Sequence, residues 1–311
     1  MGGLIANEWM KLGCRKLTRI LLVLLAAISI GTAVLGKVNS PPSGDWRAAT
    51  EQLVRQYEKR LSITELSPML RADASNKLAI AEYRLSQDIP PLPGNPWSAL
   101  LASSGLVEMV MVLAIVLAAD MVAGEYASGT MKLLLIRPRS RTEIWFSKYI
   151  AISLFAAAML VMTVVCGYAA NALLYGIGNI HAADLFLDGN GQVIRENVMM
   201  QVVKMYGLSI IPVIGYVTLA LAVSTILRSS TLAVGISLFL MITGNSMVEA
   251  TAKVEWLKFL PFANSDISLY IFSLPPRPGM TLGFSISVLL IYMVILVLIS
   301  WTVFTKRDVS I

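Results

Sequence analysis

Long apolar runs divide this chain, and each approaches the roughly 20 residues that an α-helix needs to cross the hydrocarbon of a bilayer. They cover residues 20–36, 97–123, 144–176, 205–227, 231–248 and 281–304. Within hydrocarbon every backbone N–H and C=O must find a partner inside the protein, which leaves helices and closed barrels. Barrel strands would show as segments of about 10 residues of alternating polarity, whereas these runs are continuously apolar. The sequence therefore predicts an all-α integral membrane protein with six transmembrane helices. Of its 311 residues 14% are charged, against about 25% in an ordinary soluble domain. Pro212 predicts a kink in the fourth span. The net charge of +6 is read as membrane topology rather than nucleic-acid binding, because the bases stand beside the apolar runs. Cys14 and Cys166 do not suggest a disulfide. His181 is the sole histidine, and no metal-ligand spacing is present.

Six spans put both termini on one side, and positive charge says which. Lys11, Arg15, Lys16 and Arg19 precede the first span, and Lys132, Arg137, Arg139, Arg141 and Lys148 follow the second. Both termini are expected in the cytoplasm. Residues 1–19 read as an amphipathic interfacial helix: Ile5, Trp9 and Leu12 share one face, with Glu8, Lys11, Arg15 and Arg19 on another. A cleaved signal peptide fits less well, since no convincing cleavage site follows. Residues 37–96 form the large outer loop. Leu53, Tyr57 and Leu61 recur at helical spacing, and Ser67–Pro68 offers an N-cap with proline at the first helical position. The loop reads as an extracellular helical hairpin, either a packing cap or a substrate sensor. Residues 249–280, with Trp256, Phe259 and Phe262, read as an outer interfacial or re-entrant segment.

The loop over residues 124–143 is the most informative. Gly124 permits a turn, and Met131, Leu134 and Leu135 line one face of a short lateral helix. Arg137–Pro138 ends that helix, and Ser140 to Glu143 forms a capping box that starts the third span. The stretch GEYASGTMKLLLIRPRSRTEIWFSK resembles the cytoplasmic loop of ABC-2 type transporter permeases. Glu125, Gly129, Thr130, Leu133, Leu134, Arg137, Pro138, Ser140, Arg141 and Lys148 stand at the matching positions. The second span, the amphipathic start and the tail KRDVSI resemble the same family in pattern.

That resemblance implies the transmembrane subunit of an ATP-driven exporter. The lateral helix would be a coupling helix seated on a cytoplasmic ATPase. Two ATPase subunits and a second permease copy, or a sibling permease, are the implied partners, alongside membrane lipid. ATP and Mg would reside on the ATPase, in keeping with the lack of a G-x-x-x-x-G-K-[ST] loop here. Met131, Leu134 and Leu135 are assigned to apolar docking, and Glu125, Arg137 and Arg141 to its charged rim. Glu108 falls about 11 residues into the second span, where an acid is costly. It is read either as a residue of the translocation path or dimer seam, or as a protonated acid hydrogen-bonded within the bundle. Asp120 is read as a solvated end or hinge contact. A proton- or ion-coupled secondary transporter and a membrane sensor remain the alternative functions. No HExxH or GxSxG motif favours an enzyme.

Overall fold

A computed structural model describes the chain except for residues 40–44, 65, 93, 132–138, 189–190, 251–253, 276–278 and 307–311, and the side chains of 245–250. The molecule is mostly helical. Its helices are α1 (Gly2–Cys14), α2 (Lys16–Val38), α3 (Trp46–Leu61), α4 (Pro68–Ser86), α5 (Pro96–Ala102), α6 (Leu106–Ala127), α7 (Arg141–Tyr175), α8 (Val198–Leu227), α9 (Ser230–Ala250), α10 (Ser268–Ile271) and α11 (Leu282–Lys306). Among the described residues five are long and apolar enough to cross a membrane: α2, α6, α7, α8 and α11. The described part of α9, Ser230–Gly244, is apolar as well.

Burial ranks these helices. The apolar window of α6 is 72% buried and that of α8 56%, whereas those of α2 and α11 are each 17% buried. A helix that is apolar on every side belongs inside. Accordingly α6 packs between α7, α8 and α9, and α2 and α11 lie at the periphery with apolar faces outward. Trp145 of α7 is fully buried, stacks on Tyr149 with ring centroids 5.5 Å apart, and donates from Nε1 to Ser300 Oγ of α11 at 3.2 Å. That contact fastens a peripheral helix to the core.

Local signals set the helix ends. The capping box at Ser140 and Glu143 is complete in both directions. Ser67 accepts from Leu70 N–H with Pro68 in the first turn of α4. The expected hairpin is present, with α3 packed on α4.

Two features differ from the sequence reading. The expected second span over 97–123 is broken. Leu106 N–H bonds Ser103 C=O and Val107 N–H bonds Ser104 C=O, tight turns that interrupt the helix at Ser103-Ser104-Gly105. Glu108 therefore lies in the first turn of α6, not in mid-helix. Between α7 and α8 stands an antiparallel hairpin of β1 (Ala183–Leu187) and β2 (Val193–Asn197), with Ala183 opposite Asn197 and Leu187 opposite Val193. A small strand pair thus interrupts an otherwise helical fold. Arg84 of α4 meets Asp184 of β1 at 2.7 Å. Asn76 of α4 donates to the Phe272 and Ser273 carbonyls, and Ser273 Oγ to those of Leu187 and Asp188. The helical hairpin, the β-hairpin and the 268–274 segment thereby form one cap over one end of the bundle.

Candidate functional site: a charged junction at the other end of the bundle

The amine of Lys148 lies seven residues into α7 and is completely buried. A buried ammonium is tolerated only when acceptors surround it. Two carboxylates do so. Glu125 Oε1, from the last turns of α6, lies at 2.7 Å, and Glu8 Oε2, from α1, at 3.0 Å. Lys11, one turn after Glu8, closes the ring at 3.1 Å from Glu8 and 3.3 Å from Glu125. Two acids and two bases balance. Among the described residues the second oxygen of Glu125 is buried without a hydrogen-bond partner.

Beside it Arg15, at the α1–α2 joint, meets Asp120 of α6 at 2.6 Å, and Ser230 at the start of α9 donates to the other Asp120 oxygen at 3.2 Å. The Arg228 guanidinium sits over the Tyr126 ring, 4.6 Å from its centroid. Trp9 packs edge-on against Phe155, centroids 5.3 Å apart. Helix α1 is thus bolted to the end of α6 and the start of α7, the two helices that flank the 128–140 segment. A contact between α6 and α8 lies close by. Ser224 of α8 accepts from Ala123 N–H at 3.0 Å and donates to Ala119 C=O at 2.6 Å. Those two backbone groups are helical partners four residues apart, so the hydroxyl touches both ends of one α6 hydrogen-bond position.

Burial pushes the Glu8 carboxyl up. The neighbouring Lys148 and Lys11 more than offset this and hold it below the ordinary 4.5. A depressed carboxylate contributes stability above its unfolded value, and that contribution is lost as pH falls through the folded value. Thermal unfolding midpoints of the detergent-solubilised chain should therefore fall below about pH 4.5. Glu8→Gln should lower the neutral-pH midpoint and flatten the acid decline. Parallel pH curves for the two proteins would show that Glu8 carries none of the dependence.

Several residues assigned to ATPase contact sit elsewhere. Glu125 is not a rim residue, because Lys148 holds it inside the junction. Met131 is 1% exposed and packs into the chain's own core, so it offers no free docking surface. Arg141 donates to Thr305 C=O at 3.2 Å, fastening α7 to the end of α11. Gly129, Thr130 and Ser140 are exposed, and Gly129 takes a left-handed φ of 70°. Leu133, Leu134, Leu135, Arg137 and Pro138 lie outside the described residues. Asp120, at the α6 end, is paired with Arg15 and Ser230. Glu8 and Lys148 were not paired from the sequence. The available signal was a lysine two turns inside an apolar helix, which requires a counter-charge.

Five span-length apolar helices among the described residues, two of them tied to α1 by a buried ionic cluster, define an integral membrane protein. The chain belongs to the family described as "Protein of unknown function (DUF2705)", whose sequence model matches residues 75–310. It is 32% identical to the Uncharacterized protein YhcI of Bacillus subtilis (strain 168) over the whole length of both chains. It is 28% identical to the Uncharacterized membrane protein YdbK of the same organism, over 65% of this chain and 79% of that protein.

Proposed function

We propose that this chain is the permease subunit of an ATP-driven exporter, moved by a separate cytoplasmic ATPase. In this reading α9 is a sixth span, both termini face the cytoplasm and the capped end faces outward. Two permeases, identical or sibling, work with two ATPase subunits that carry the ATP and Mg. The observation that carries it is the buried junction of Glu8, Lys11, Glu125 and Lys148, which joins both flanks of the 128–140 segment to α1. A force applied to that segment cannot be absorbed by one loose loop, because α6, α7 and α1 must move with it. The ABC-2-like pattern of the same segment, from Glu125 to Lys148, supports the assignment. Transport work then comes from a difference in ATPase affinity between two permease states. The exposed Gly129, Thr130 and Ser140 remain on the partner-facing surface, with Leu134, Leu135, Arg137 and Pro138 as proposed contacts.

The test is co-purification of the tagged chain with an ATPase encoded beside it. Leu134→Asp should abolish the association and the substrate-stimulated ATPase activity, and leave expression in the membrane unchanged. Retention of both by Leu134→Asp, or failure of any such ATPase to associate with the parent chain, would overturn the reading.

A further inference from the structure

The opposite end of α6 from the charged junction holds a different arrangement. Glu108, in the first turn of α6, and Asp266, just ahead of α10, line one cavity of about 130 Å³. Ser104, Ser209, Ser265 and Tyr216 add polar groups to its wall, and among the described residues no lysine, arginine or histidine lines it. Among the described residues neither carboxylate is in an ion pair. The recorded partners of Asp266 are Ser268 N–H at 3.2 Å and Ser268 Oγ at 2.5 Å. The N-terminus of α6 offers Glu108 the positive end of the helix dipole. It does not account for a second carboxylate facing the same space.

Tyr216 adds an independent observation. The residue is only 6% exposed, and its hydroxyl has no hydrogen-bond partner. Tyr216 lines the cavity together with Ser265 and Glu108. Two carboxylates and one orphaned phenol oxygen thus converge on a small space. An ammonium group carries three N–H donors and no acceptor, which matches this set. Calcium and magnesium take six or more oxygens. Among the described residues no group of three or more His, Cys, Asp or Glu comes together to supply them. The volume suits a charged head group with a few waters, well below the roughly 300–1,000 Å³ of pockets that enclose a whole drug-sized ligand.

We propose that this cavity is a subsite for a primary ammonium group. The assignment stands independently of the ATPase. If the exporter reading also holds, it makes the cargo an amine-bearing molecule.

The probes are three methanethiosulfonates that differ only in the head group: 2-aminoethyl, 2-(trimethylammonium)ethyl and 2-sulfonatoethyl. The target is the purified full chain carrying Ser104→Cys and Cys166→Ser. The exposed Cys14 is retained as an internal reference and resolved by peptide mass spectrometry. The aminoethyl reagent should modify the introduced thiol fastest. Its advantage over the sulfonate should fall about tenfold or more in Glu108→Gln/Asp266→Asn, with Cys14 labelling unchanged. n-Butylammonium chloride should slow the reaction more than tetramethylammonium chloride, and Tyr216→Phe alone should narrow that difference. The Tyr216→Phe arm removes one oxygen and no charge, so it decides the matter even if the double variant fails to fold. Equal reagent ratios in parent and double variant would overturn the proposal. So would protection by calcium chloride without protection by butylammonium, which would mark a metal site.

Discussion

Lys148→Ala should lower the stability of the folded helix bundle by about 3–5 kcal/mol, the usual cost of removing one partner from a buried ion pair. The loss follows from what is left behind. Glu8 and Glu125 would remain buried, with only the partly exposed Lys11 between them. The measurement is the thermal or denaturant midpoint in detergent, read together with protease sensitivity of α1. A triple replacement, Glu8→Leu, Glu125→Leu and Lys148→Met, should recover much of the loss, since an apolar set of similar volume avoids desolvating three charges and leaves only the part-exposed Lys11. If both variants are equally unstable, shape and not charge holds the joint. If Lys148→Ala is as stable as the parent chain, the amine does not bridge the two acids.

Trp145→Ala should be comparably damaging, about 3–5 kcal/mol, through the cavity left by a fully buried indole. The effect should be directional. Trp145 fastens α11 to α7 through Ser300, so α11 should become accessible to limited proteolysis before the α6–α8 core does. Trp145→Phe retains most of the volume and loses the 3.2 Å hydrogen bond, so it should cost only about 1 kcal/mol. Loss of the whole bundle at once in Trp145→Ala would show that α11 is not a separable element.

Local signals were legible and long-range ones were not. Ser140 with Glu143, and Ser67 with Pro68, specify helix starts within four residues of chain, so the sequence alone locates them. The apolar runs at 20–36, 144–176, 205–227 and 281–304 reappear as α2, α7, α8 and α11 with ends shifted by a few residues. The break at Ser103–Gly105 was hidden because small polar residues interrupt hydropathy less than they interrupt hydrogen bonding. The β-hairpin did carry a signal. Residues 188–191 read Asp-Gly-Asn-Gly between two short apolar runs, a turn composition that favours a strand pair. The site was harder. Glu8 and Lys148 stand 140 positions apart, and nothing in the spacing of either pairs them. Met131 looked like a docking residue because helical periodicity identifies an apolar face without saying what covers it. Here the chain's own core covers it.

The bridging hydroxyl of Ser224 has a mechanical meaning. A side chain that reaches both an N–H and a C=O of a neighbouring helix fixes the two backbones at one level. At that level the backbone of α6 is tied to α8 through Ser224. Below it, the last turn of α6 cannot rotate without dragging α8. One hydroxyl therefore makes the two most buried helices turn together at that level, so a displacement of either is passed directly to the other.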